Sequence, residues 1–282
     1  MTVTVFSPTV CALGEGPLWH PLRGQLFWFD ILGKKLLTRT EAGDERHWQF
    51  DAHVSAAGWV DRDTLVIADE TGLFRFDIES GAQSRLAEIE ADQPLTRSND
   101  GRADPWGGFW IGTMGKKAEP GLGAIYRYYR GEVRRLVGDV TISNSIAFSP
   151  DRVWAYYTDT RAGRIMRQKL SPQDGWPVGE PDFFADLRGT AIEADGSVVD
   201  SAGCLWNAQW GAGRVARYAP DGTLLSVVEV PTPQISCPAF GGADMKTLYI
   251  TTAATGIDTP PAGATFRVRV DTPGQAEHRV LL

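Results

Sequence analysis

The sequence predicts an all-β fold, a six-bladed β-propeller formed by a single domain over residues 1–282. Three observations predict it. A unit made of a short apolar segment, a turn containing Asp, Pro or Gly, and a second apolar strand recurs six times. Its instances are "GPLWHPLRGQLFWFD" from Gly16, "AAGWVDRDTLVIAD" from Ala56, "GRADPWGGFWIGT" from Gly101, "IAFSPDRVWAYYTD" from Ile146, "SVVDSAGCLWNAQ" from Ser197 and "AFGGADMKTLYITT" from Ala239. The matching second-strand residues, Leu26, Leu65, Phe109, Trp154, Leu205 and Leu248, are 39 to 51 residues apart, the spacing of propeller blades. Finally, no segment carries a helical period, whereas ten Trp, 31 Gly and 17 Pro suit strands joined by tight turns.

Each element follows from local pattern. Third strands begin near Gly72, Gly123, Gly163, Gly213 and Ala264 and alternate apolar with polar residues, as strands with one buried face do. Two strands are left over, "TVTVF" near residue 2 and "HRVLL" at the C-terminus. One of them is expected to complete the last blade and close the ring.

Composition narrows the partners. With a net charge of −7 and no long Lys/Arg cluster, the chain is not expected to bind nucleic acid. No apolar run approaches the roughly 18 residues of a membrane span. The N-terminus lacks the basic start and apolar core of a signal peptide. Cys11, Cys204 and Cys237 are odd in number and lack CxxC spacing, which reads as free thiols in a reducing cytoplasm. A closed propeller with few exposed edges is expected to be a monomer.

The repeat also selects a site. The first strand of each blade lines the central channel, so the six strand starts form a ring at one mouth. Counting back ten or eleven residues from each second-strand marker gives Glu15, Ser55, Asn99, Asn144, Asp195 and the neighbourhood of Ser236 and Cys237. Asn, Asp and Ser are common before strands because they bond to nearby backbone. Two carboxylates and two amides in register are, in addition, the donor set of a hard-oxygen cation site.

The segments "LGEGPLWHP" (13–21), "SNDGRADPWGGFWIGTMG" (98–115), "ISNSIAFSPD" (142–151), "ADGSVVDSAGCLWNA" (194–208) and "CPAFGGADMKTLYITTA" (237–253) resemble the SMP-30/gluconolactonase/regucalcin-like family of six-bladed propellers, in order and over nearly the whole chain. The resemblance implies metal-dependent hydrolysis of a small sugar lactone. It implies one divalent cation (Ca, Zn, Mg, Mn or Fe) on Glu15, Asn144 and Asp195, with Asn99 near the metal, touching substrate or a metal water, and Arg97 contacting substrate hydroxyls. The metal would act as Lewis acid on the lactone carbonyl, and Asp195 would take a proton from the attacking water. Where animal members carry an acidic sugar-holding residue, the ungapped match is Lys117, or Glu119 after a loop shift; a cation there would favour a different hydroxyl pattern or an acidic lactone.

His53, two residues before Ser55, is a further candidate for substrate contact. The four histidines form no HxH or HExxH set, against a His-based metal site. No GxSxG elbow is present to support a Ser nucleophile. Trp19, Trp59, Trp106, Trp110 and Trp206 are candidates for stacking on sugar, although packing between blades explains them more simply. Asp100 is expected to brace its loop. The alternatives are an organophosphate or aryl-ester hydrolase on the same scaffold, a rim-binding WD40- or NHL-type propeller, and a metal-binding propeller without catalysis.

Overall fold

The computed structural model describes residues 2–282 and is a six-bladed propeller, each blade a four-stranded antiparallel sheet. Blade 1 runs β2 (Gly14–His20), β3 (Gln25–Asp30), β4 (Lys35–Thr40) and β5 (Glu45–Gln49) from inside outwards; blades 2 to 5 repeat this order with β6–β9, β10–β13, β14–β17 and β18–β21. Blade 6 is composite. Its inner three strands are β22 (Ile235–Gly241), β23 (Thr247–Thr252) and β24 (Thr265–Arg269), and its outer strand is β1 (Thr4–Ser7) from the N-terminus. The N-terminal of the two spare strands therefore closes the ring.

All six second-strand markers lie in second strands, and five are fully buried. Alternating residues of neighbouring blades pack face to face. Phe27, Phe29, Leu65, Ile67, Phe74 and Phe76, for example, form one core between blades 1 and 2, removing apolar area from water on both faces of each sheet. The outermost strands are polar and exposed, as in "ERHWQ" of β5 and "QSRLAE" of β9, which blunts their free edges. Among the described residues the one helical element is a single 3-10 turn, Thr160–Ala162.

The C-terminal "HRVLL" forms no strand; it crosses the channel mouth opposite the ring of strand starts. Gln275 Nε2 donates to Phe148 O (3.0 Å) and Val199 O (3.1 Å), Val280 N to Trp59 O (2.9 Å) and Leu281 N to Gly107 O (2.9 Å). Val280 is fully buried in the core of blades 2 and 3. Glu277 pairs with the buried Arg102, whose guanidinium also donates to Ile146 O and Ser197 O. The tail thus ties blades 2 to 5 together from below. Glu277→Ala strands a buried guanidinium, and the expected loss of stability is about 3–5 kcal/mol, read as a lower denaturant midpoint. An unchanged midpoint would show that Arg102 does not depend on the tail.

Candidate active site

At every ring position the pairing of the first and second strands slips. The breaks fall between Glu15 and Leu18, Val54 and Ala56, Ser98 and Gly101, Asn144 and Ala147, Ala194 and Ser197, and Ile235 and Cys237. Such bulges re-aim side chains, and here they occur at or beside the ring residues. The residue after Glu15 must be small and left-handed: Gly16 has φ +53°, and a Cβ there would lie 2.2 Å from Ser55 O. In blade 4 the corresponding left-handed residue is Ser145, φ +62°. Its hydroxyl donates to Asp195 O (2.5 Å) and accepts from Asn207 Nδ2 (3.2 Å). Backbone strain is thereby offset by bonds that join blades 4 and 5.

The lead-in to two ring residues is held by an aspartate ending the second strand. Asp30 accepts from Ala12 N (3.1 Å) and Leu13 N (3.0 Å), ahead of Glu15. Asp159 accepts from Thr141 N (2.9 Å) and Ile142 N (3.1 Å), ahead of Asn144. Asp100 braces the channel more than its own loop: it accepts from Ile146 N across the blade boundary at 2.6 Å.

These supports set out a cavity of about 240 Å³ at the mouth, lined by Glu15, Arg97, Asn99, Asn144 and Asp195. That is just under the roughly 300–1,000 Å³ of drug-sized ligand pockets and suits a single small ring. A polar relay fixes the amides. Arg97 Nη1 donates to Asn99 Oδ1 (2.8 Å), Asn99 Nδ2 to Asn144 Oδ1 (3.0 Å), Asn144 Nδ2 to Thr160 Oγ1 (2.9 Å) and Thr160 Oγ1 to Ala194 O (2.7 Å). Asn144 Oδ1 keeps a second lone pair free. Arg97 Nη1 also donates to Ser98 O, while its Nε and Nη2 meet no acceptor among the described residues.

Glu15 and Asp195 are both buried, at 6% exposure each. Burial, then the charge of Asp100, pushes the Glu15 carboxyl up to about 8. Burial, then the charge of Glu15, raises Asp195 well above the usual carboxylate range. Arg97, lowered to about 10 by desolvation, stays a cation and draws Glu15 down, but burial and Asp100 outweigh it, so one guanidinium does not balance two buried carboxylates. Two buried carboxylates that raise each other, beside an oriented amide oxygen, fit a divalent cation with oxygen donors. No group of three or more His, Cys, Asp or Glu side chains placed to hold a metal occurs among the described residues, so any cation here relies on the amide.

Three expected contacts are not brought to this cavity. Glu119 turns back to accept from Lys117 N (3.0 Å), and neither residue lines the pocket. His53 is also outside the lining; its Nδ1 meets Glu70 at 2.5 Å, and Glu70 also pairs with Lys116 at 2.5 Å. Trp19, Trp110 and Trp206 are buried in blade packing, and Trp59 bonds to Glu277 O on the opposite side. The tryptophan that does line the cavity is Trp210, accompanied by Arg161 and Glu193. A larger groove of about 680 Å³ beside Val10 and Pro260 lacks convergent chemistry, since Asp30 is taken by backbone N–H groups.

Fold and site together define a six-bladed propeller with a small-molecule cavity at one mouth of its channel. Residues 13–254 match the family described as "SMP-30/Gluconolactonase/LRE-like region", and the chain belongs to that family. It is 37% identical to the 6-deoxy-6-sulfogluconolactonase of Pseudomonas putida, over 94% of each chain. It is also 37% identical to the L-arabinolactonase of Azospirillum brasilense, over 98% of this chain and 94% of the relative. A crystal structure of a calcium-binding protein, regucalcin, from Agrobacterium tumefaciens superposes with a TM-score of 0.96 at 40% identity, covering 99% of this chain and 97% of that one.

Proposed function

We propose that this protein hydrolyses a sugar lactone to the sugar acid, using a divalent cation held by Glu15, Asn144 and Asp195. The observation that carries this is the convergence of two buried, proton-hungry carboxylates and one oriented amide from three different blades on a ring-sized cavity. The lactonases among its relatives support the reaction class, and the calcium-binding neighbour supports a divalent ion. When bound, the cation would supply charge stabilisation for the oxyanion that develops as the ester opens.

The chain's own groups do the remaining work. The Asp195 carboxylate accepts the proton of the attacking water and can return it to the alkoxide that leaves as the ring opens. The free Nε and Nη2 of Arg97 supply donors to the lactone. Asn99, held between Arg97 and Asn144, keeps the relay in register.

The test is proton release from gluconolactone, galactonolactone, xylonolactone and arabinonolactone by protein stripped with chelator and then given Ca, Mg, Mn, Zn or Fe. Turnover that returns with a metal on at least one lactone is the expected outcome. Absence of turnover on every lactone with every metal, alongside turnover of aryl esters or organophosphates, would reject the sugar lactonase reading.

A further inference from the structure

On the blade 4 and 5 side of the mouth, the geometry points to a second recognition element: Arg161, Glu193 and Trp210 form a neutral subsite that grips the exocyclic, hydroxyl-bearing arm of the sugar lactone. The assignment rests on the lactone hydrolysis proposed above and adds to it which part of the substrate is read, and by what.

All three residues line the same cavity as the carboxylate pair. Glu193 and Trp210 are directly opposite on the antiparallel strands β18 (Glu193–Val199) and β19 (Leu205–Trp210). Their side chains therefore stand on one face of the sheet. Trp210 is half-buried and offers an apolar ring face of the kind that suits sugar C–H groups. Arg161 arrives from the neighbouring blade on the 3-10 turn, whose start is capped by Asp159 and whose end is a left-handed Gly163. The preceding residue of that turn, Thr160, is the one that locks the Asn144 amide, so the arm of the sugar would be read from the same rigid turn that orients a proposed metal ligand.

Arg161 Nη1 pairs with Glu193 Oε1 at 2.6 Å, with the side chains 57% and 39% exposed. A pair this open contributes little to stability, so the fold does not explain it. It does present a guanidinium edge and a carboxylate edge side by side, donors next to acceptors, which is the pattern needed to bridge neighbouring hydroxyls. Its charge decides the substrate class. Arg161 is already matched by Glu193, the proposed cation would be matched by Glu15 and Asp195, and Arg97, the other cation lining the cavity, comes from blade 3 and is tied to Ser98 O and Asn99, so the arm on the blade 4 and 5 side meets a neutral pair. The subsite therefore reads hydroxyls and disfavours an arm that ends in an anion.

The test uses the metal-loaded full chain and three substrates: a six-carbon aldonolactone with a hydroxylated arm, α-hydroxy-γ-butyrolactone without the arm, and a sugar-diacid lactone whose arm ends in a carboxylate. Arg161→Ala and Glu193→Gln are each expected to raise KM for the armed aldonolactone roughly tenfold, with kcat within about twofold, as loss of a charge-assisted contact made equally in ground and transition states. The armless lactone should be insensitive to both. Glu193→Gln leaves Arg161 unmatched and should raise kcat/KM for the diacid lactone while lowering it for the neutral one; this exchange keeps the test independent of any misfolding, which would depress all three substrates together. Unmoved KM for the armed lactone in both variants, with wild-type turnover intact, overturns the subsite alone. A wild-type preference for the diacid lactone that Arg161→Ala abolishes shows that Arg161 reads charge, and also overturns it. No wild-type turnover of any lactone removes the lactonase reading and this assignment with it.

Discussion

Asp195→Asn protein is expected to lose turnover by at least about 10²–10⁴-fold, the range typical of a positioned general base. The amide keeps a metal-ligating oxygen and nearly the same shape, but cannot accept a proton. Without the cation, burial and Glu15 hold the Asp195 carboxyl above the usual carboxylate range; a divalent ion on the pair releases that proton and leaves a carboxylate able to accept one from water. Metal occupancy, measured by calorimetry on the same sample, separates the two roles given to this side chain. Activity lost with metal retained fits a base that also ligates. Activity lost together with metal assigns Asp195 to ligation, and near-normal activity with metal bound would sink the base assignment.

The second large effect is on stability. In chelator-stripped protein the Glu15 carboxyl has its proton held up to about 8, against an ordinary value of 4.5. A folded value above the unfolded one means that the native state binds the extra proton between these limits. The corresponding stability is fully present below about 4.5, declines as pH rises, and is gone above about 8. Full ionisation of a group shifted this far costs on the order of 5 kcal/mol. Thermal unfolding of stripped protein at pH 5 and pH 8 should therefore show a drop that Glu15→Gln reduces, the remainder coming from Asp195 and Asp100, whose carboxyls burial also raises. A divalent ion releases those protons on binding, so its stabilisation should be larger at pH 8 than at pH 5. Equal metal-induced shifts at both pH values, with no difference between wild type and Glu15→Gln, would contradict the carboxylate pair as the cation site.

Much of this site is legible in the chain because a propeller converts sequence period into spatial position. Glu15, Asn99, Asn144 and Asp195 are found by stepping back a fixed distance from apolar markers, and in the structure all four line one cavity. "ISNSIAFSPD" places an amide at a strand head because the strand bulges there. The aspartates ending "FWFD" and "YYTD" carried a readable signal too, since Asp30 and Asp159 hold the residues ahead of Glu15 and Asn144. The expected contacts that lie outside the cavity lining do so for local reasons. Lys117 and Glu119 fall in a turn that closes on itself, His53 is captured by Glu70, and neither event has a periodic signature.

What the sequence determined by itself was the blade: alternation decides which residues face the core, glycine and aspartate decide where strands turn, and six copies decide the ring. Only the tertiary structure decided which spare strand closed blade 6, because Thr4–Ser7 and "HRVLL" carry similar strand patterns and the choice depends on where each lies once the ring has formed. The same holds for the rim. Arg161 and Glu193 are 32 residues apart on different blades, and Trp210 is one of ten tryptophans with nothing in its own neighbourhood to mark it. Their meeting is a contact between blades, and blade-to-blade contacts are set by packing around the closed ring, where no residue spacing along the chain records them.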